Sequence, residues 1–124
     1  MKERELGKTY KDGEVICQEG EEGEGMFVIQ SGEVTVIKNT NKGEIAIRTL
    51  KAGEIFGEMA LFDKLPRSAT VKALGEARIL TIDKKGFIPR ISKDPSLAFN
   101  ILESMSKRVR KLTEEISIFK KSRE

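Results

Sequence analysis

From Asp12 to Ile82 the apolar residues come in short runs separated by glycine, at positions 13, 20, 23, 25, 32, 43, 53, 57 and 75. Many of these spacings fall near the roughly 8–12 residues that separate turns in an all-β domain. The runs Met26–Gln30, Glu33–Lys38, Glu44–Leu50, Ala69–Leu74 and Arg78–Ile82 read as strands. In Val34-Thr35-Val36 and Ile45-Ala46-Ile47 larger apolar residues alternate with smaller or polar ones. A pleated strand then points Val34, Val36, Ile45 and Ile47 inward. Asn41-Lys42-Gly43 predicts a hairpin turn, because glycine takes a positive φ with no Cβ to clash. A mainly β fold, an antiparallel β-roll or jelly roll, accounts for this pattern.

After Ile82 the period changes. Asp83-Lys84-Lys85 predicts the start of a short helix carrying Phe87 and Ile88 and ending near Pro89. Asp94-Pro95 predicts an N-cap with proline at the first helical position, where its missing N–H costs nothing. The long C-terminal helix opened there extends to about Lys121. Along it Ala98, Leu102, Met105, Val109, Leu112, Ile116 and Phe119 recur at alternating steps of four and three. That is a heptad seam, with Glu115 and Lys120 at g and following e positions. The seam either lies along the chain's own β-roll or pairs with a second copy. Its strict repeat and its length favour a parallel homodimer.

The 124 residues are expected to form one domain, about 10–90 as the roll and about 94–121 as the helix. The formal charge of +3 is mild. Its excess sits late, in Lys107, Arg108, Arg110, Lys111, Lys120, Lys121 and Arg123. Such a run can bind nucleic acid or a membrane surface, but it is more often a solvated helix face. No apolar run approaches the roughly 20 residues of a membrane span. Met1 to Lys11 has no apolar stretch of the signal-peptide kind, so a cytoplasmic location is expected. Cys17 is the only cysteine and histidine is absent. Those two facts exclude an intrachain disulfide, a Cys-rich zinc site, imidazole-ligated metals and His-based acid–base catalysis. No enzyme activity, cofactor or metal is expected.

One segment carries candidate chemistry. Phe56-Gly57-Glu58-Met59-Ala60-Leu61-Phe62 is a run of helix formers between two strands, with a glycine that lets backbone approach a ligand closely. Free N–H groups at such a start attract an anion. Nine residues beyond Glu58, Arg67 can form a bidentate, charge-assisted pair with a phosphate. Read physically, the segment is either an anion site or an ordinary turn bracketed by a Glu–Arg pair.

Phe56-Gly57-Glu58-Met59-Ala60-Leu61 followed by Pro66-Arg67-Ser68-Ala69-Thr70-Val71 resembles the phosphate-binding cassette of the cyclic-nucleotide-binding domain family. Lys11-Asp12-Gly13-Glu14-Val15-Ile16, Glu19-Gly20, Met26 through Val34 and Lys51-Ala52-Gly53-Glu54-Ile55-Phe56 resemble its other motifs, in order, over about residues 10 to 90. The resemblance implies that the ligand is cAMP or cGMP. Arg67 would pair with the exocyclic phosphate oxygens, and Glu58 would accept the ribose 2′-hydroxyl. Amides from Gly57 through Met59 to Ala60, and at Ala69, would complete the phosphate and ribose cage. Val36 and Leu50 fall near positions that line the base pocket. Ser68 occupies the position that bears on nucleotide choice, and its hydroxyl could serve either ligand. The balance leans to cAMP.

The C-terminal helix resembles the dimerisation helix of bacterial catabolite activators. Leu112-Thr113 falls where those activators place a Thr-Ser pair on the adenine across the dimer. Thr113 keeps the hydroxyl and Leu112 departs from it. The activators continue into a helix-turn-helix DNA reader, whereas this sequence stops at Glu124 with no recognition helix besides the seam helix. DNA binding is therefore not expected of this chain alone. The expected protein is a sensor with an unknown effector, free-standing or part of something longer. The alternatives are an activator-type regulator without its DNA-binding domain and a degenerate dimerisation scaffold.

Overall fold

The computed structural model describes residues 7–23 and 25–122, so Arg123 of the basic run lies outside the described residues. The chain divides into two compact units, one ending at Phe87 and one beginning at Ile88.

The first unit is an antiparallel six-stranded sheet: β1 (Lys8–Tyr10), β2 (Val15–Cys17), β3 (Met26–Thr40), β4 (Gly43–Lys51), β5 (Ile55–Phe56) and β6 (Thr70–Ile82). The order is β1-β6-β3-β4, with β2 also on β6 and β5 on β3. The spine is the β3–β6 pair, in register from Met26↔Ile82 to Ile37↔Thr70. Its inward residues Phe27, Ile29, Val34, Val36, Val71, Ala73, Ala77 and Ile79 form the core with Leu50 and Phe56. Fully burying a side chain of the Val, Ile or Phe class contributes about 1.5–3 kcal/mol, which makes this cluster the main stabiliser of the roll.

The strand runs read from the sequence occur, but two pairs of them are fused. Met26–Gln30 and Glu33–Lys38 lie on the single strand β3, and Arg78–Ile82 and the run from Ala69 to Leu74, all but Ala69 itself, lie on β6. Glycine does not end these strands; it bends them. Between Glu33↔Leu74 and Ser31↔Arg78, β6 places residues 75 to 77 opposite Gly32 alone. Gly32 (φ 83°) and Gly75 (φ 73°) take the left-handed conformations that this bulge requires.

Val34 and Val36 face the core as expected, but Ile45 and Ile47 do not: they are 52% and 53% exposed. The ladder slips between Val36↔Arg48 and Ile37↔Ala46, which leaves Ile47 as the extra residue and breaks the alternation. Beyond Ile37, β3 has lost β6 as a neighbour, so Ile45 (opposite Lys38) sits on a two-stranded tip past the end of the core. The turn itself is as read: Thr40 pairs with Gly43 across Asn41 and Lys42, and Gly43 has φ 104°.

Helix α1 (Lys84–Lys93) starts where expected but runs through Pro89 instead of ending there. Asp83 caps it, its carboxylate accepting the amide of Gly86 at 2.6 Å. Bonds from Phe87 N–H to the Asp83 carbonyl and from Asp94 N–H to the Arg90 carbonyl hold the turns on either side of the proline. One missing donor is then tolerated. Helix α2 (Ser96–Ser122) is capped by Asp94, which accepts from the amide of Ser96 at 3.1 Å and from its hydroxyl. Leu102, Val109, Leu112, Ile116 and Phe119 of the seam are 51–66% exposed in the single chain. Among the described residues, no helix is long and apolar enough to cross a membrane.

Candidate functional site

The short helix expected at Glu58 is a single 3-10 turn, Glu58–Leu61, entered through Gly57 at φ 75°. That left-handed φ turns the chain sharply off β5. A side chain at Gly57 would meet Arg67 Nη1 at 2.8 Å and the Phe27 ring at 3.1 Å. Glycine is therefore demanded twice, by conformation and by close approach. The turn faces Glu58 inward, 1% exposed, together with Ala60 and Leu61, and leaves Met59 outward. The Ala60 amide donates to the Gly57 carbonyl at 3.2 Å, so the tight turn itself engages that donor.

Arg67 comes back to the same place. Its Nη1 donates to the Gly57 carbonyl at 3.3 Å and its Nη2 to the Gly25 carbonyl at 2.9 Å. The guanidinium lies 5.1 Å from the centre of the Phe27 ring, which in turn stacks on Phe56 at 4.8 Å. A cation over an aromatic face gains electrostatically from the ring quadrupole. The backbone of Arg67 is fixed independently: its N–H donates to Glu21 and its carbonyl accepts from Gly20. A half-buried cation thus rests on two neutral carbonyls, one of them that of Gly57, which precedes the buried Glu58 in the chain.

The other candidate residues divide. Ser68 is exposed and Ala69 half-buried against the core, both between Arg67 and the start of β6. Val36 and Leu50 are buried in the core cluster, though they are not cross-strand partners, since Val34 faces Leu50 and Val36 faces Arg48. Thr113 belongs to the C-terminal unit, where its hydroxyl donates to the Val109 carbonyl of its own helix at 2.9 Å.

Four further residues shape the site. A Cβ at Gly23 would stand 2.6 Å from Arg67 Nη2, so this glycine makes room for the guanidinium. Gly25 supplies a carbonyl, and Phe27 supplies the ring beneath. Thr70, 2% exposed, accepts from Gln18 Nε2 at 3.1 Å and from the Glu19 amide at 2.9 Å, tying the loop after β2 to the end of the cassette. The spacing of Gly23 and Gly25 in an acidic loop was the one available sign of a close approach. Burial pushes the Cys17 thiol up, and the nearby Arg67 charge offsets this only in part. Among the described residues no cluster of His, Cys, Asp or Glu could hold a metal ion.

Residues 7–94 match the family model described as "Cyclic nucleotide-binding domain". The cAMP-dependent protein kinase regulatory subunit of Yarrowia lipolytica (strain CLIB 122 / E 150) is 43% identical over 80 residues, 64% of this chain and 21% of that protein. The chain thus spans about a fifth of the length of that curated relative. Among solved structures, the catabolite activator protein of Thermus thermophilus superposes with a TM-score of 0.80 at 27% identity, over 91% of this chain and 54% of that one. The cAMP-bound form of the EAL enzyme Bd1971 gives 0.62 at 32% identity, over 90% and 30%. With the glycine-led turn, the inward Glu58 and the returning Arg67 all in place inside the matched span, the chain belongs to the cyclic nucleotide-binding domain family.

Proposed function

We propose that the chain is a non-enzymatic cyclic-nucleotide sensor that takes cAMP in preference to cGMP. The observation that carries this is the convergence of Arg67 and the buried Glu58 on Gly57, whose carbonyl Arg67 holds. In binding, the guanidinium exchanges two neutral carbonyl acceptors for the exocyclic phosphate oxygens, a bidentate charge-assisted pair. Glu58 accepts the ribose 2′-hydroxyl, and amides at Met59 and Ala69 close the cage. Ser68 lies beside the phosphate, and Val36 and Leu50 lie towards the base. The name of the Yarrowia relative and the cAMP-bound state of Bd1971 support cAMP as the ligand. Titration calorimetry with each nucleotide tests the reading. The expected result is micromolar or tighter binding of cAMP, with cGMP weaker. Heat from neither would sink it.

The seam of α2 pairs two copies and relays occupancy of the cassette to an effector. What supports this is the exposed heptad face of Leu102, Val109, Leu112, Ile116 and Phe119. Amide hydrogen exchange in α2 should slow as protein concentration rises and change again on saturation with cAMP. Exchange insensitive to both would remove the dimer and the relay together.

A further inference from the structure

Between Arg67 and Thr70 the backbone leaves the regular ladders. Arg67 pairs with Gly20 and Glu21, and Thr70 opens β6 opposite Ile37, while Ser68 and Ala69 lie in no strand. The Ser68 carbonyl accepts from Lys38 Nζ at 2.6 Å, a contact that spans 30 residues. The same ammonium stands 3.4 Å from Glu19 Oε2. Glu19 Oε1 in turn accepts the Asn39 amide at 3.0 Å. That amide holds the Glu19 carboxyl below its usual range, and Lys38 adds to the effect. Lys38 is thus held at one side by a fixed carboxylate and grips the cassette with the other.

A peptide unit is planar and trans, so the Ser68 carbonyl and the Ala69 N–H point in opposite directions. Whatever fixes the carbonyl also aims the amide. We infer that Lys38, braced by Glu19, sets the orientation of the Ser68–Ala69 peptide and so presents the Ala69 amide to the phosphate of the bound nucleotide. Lys38 is a positioning residue, acting through Ala69 rather than on the ligand: one of its N–H donors is on a carbonyl, and its charge faces a carboxylate. The inference rests on the cassette reading above and adds to it a determinant of affinity outside the cassette.

The sign of the Glu19 effect separates positioning from plain electrostatics. Removing a negative charge near an anion site should strengthen anion binding by Coulomb attraction alone. If Glu19 braces Lys38, the same change weakens it. Calorimetric titration with cAMP is run on the wild-type chain and on Lys38→Met, Lys38→Arg, Glu19→Gln and Arg67→Ala, with the melting midpoint of each measured unliganded. Lys38→Met should weaken binding roughly 5- to 10-fold, with Lys38→Arg recovering part of the loss. Glu19→Gln should weaken it about 3-fold, with little change in melting. Exchange of the Ala69 amide should slow on cAMP saturation in the wild type and much less in Lys38→Met. Tighter binding by Glu19→Gln would make Lys38 a direct cation for the phosphate and overturn the inference. Wild-type affinity in both Lys38→Met and Glu19→Gln, with binding lost in Arg67→Ala, would overturn it and leave the cassette reading standing. Absence of nucleotide binding by the wild type would overturn both.

Discussion

Arg67→Ala lowers the affinity for cAMP by about a hundredfold or more while the roll stays folded. Two magnitudes decide this. In the unliganded chain Arg67 makes two bonds to neutral carbonyls, at 3.3 and 2.9 Å, and lies over Phe27. For a half-buried side chain, net contributions of that kind amount to about 1–2 kcal/mol of stability. In the proposed complex its partner is an ionised phosphate taken out of water. A charge-assisted bond contributes about 1.5–3 kcal/mol, two run in parallel, and their loss leaves an anion partly desolvated. The binding effect therefore exceeds the folding effect. Arg67→Lys keeps the charge and loses the planar fork, so it should fall between, at roughly tenfold. Calorimetry and melting on the same preparations separate the two effects. Equal binding by wild type and Arg67→Ala would remove this residue from the phosphate.

Gly32→Ala is the largest expected perturbation of stability, about 2–5 kcal/mol by urea unfolding. Alanine at a left-handed φ of 83° costs about 1–2 kcal/mol from Cβ sterics alone. Here the Cβ also runs into the Glu76 carbonyl oxygen and stands 2.8 Å from the Ala77 Cα. Both are backbone of the neighbouring strand, which cannot rotate aside as a side chain does, and overpacking of this kind adds about 1–3 kcal/mol. Gly53→Ala is the control. Its φ is 92°, but no atom lies within 4 Å of the added methyl, so conformation alone is charged there, at about 1–2 kcal/mol. Against a typical total of about 5–15 kcal/mol, Gly32→Ala should leave a visibly weakened domain. If the two alanines cost the same, the close approach of β6 to β3 at the bulge is not what demands Gly32.

The features readable along the chain were those whose causes are local. The turn at Gly43, the helix start at Asp83, the cap at Asp94, and the heptad repeat of α2 each depend on residues within about one turn of one another. The inward facing of Val34 and Val36 was also readable, because two-residue alternation needs only one buried face. Ile45 and Ile47 show the same alternation and are exposed, since strand β6 stops short of them and a bulge opposite Ile37 shifts the register. Pro89 broke its helix on paper and not in the fold, where flanking backbone bonds persist.

The site divides in the same way. Gly57, Glu58 and Arg67 could be picked out because their order and spacing are written in one stretch of chain, and their kinship with a known cassette needs no coordinates. What Arg67 rests on could not. Its acceptor at Gly25 is 42 residues away, and the Lys38 grip on Ser68 spans 30. Such partners are chosen by strand register, and register is settled by the burial of the whole β3–β6 spine rather than by any local preference. The run-and-glycine pattern thus points to a β-roll, and the order of motifs to a resemblance with a phosphate-binding cassette. Only the packed sheet determines that Gly23 must stay small beside the guanidinium, that Gly25 and Gly57 hold it, and that Lys38 reaches the Ser68 carbonyl beyond it.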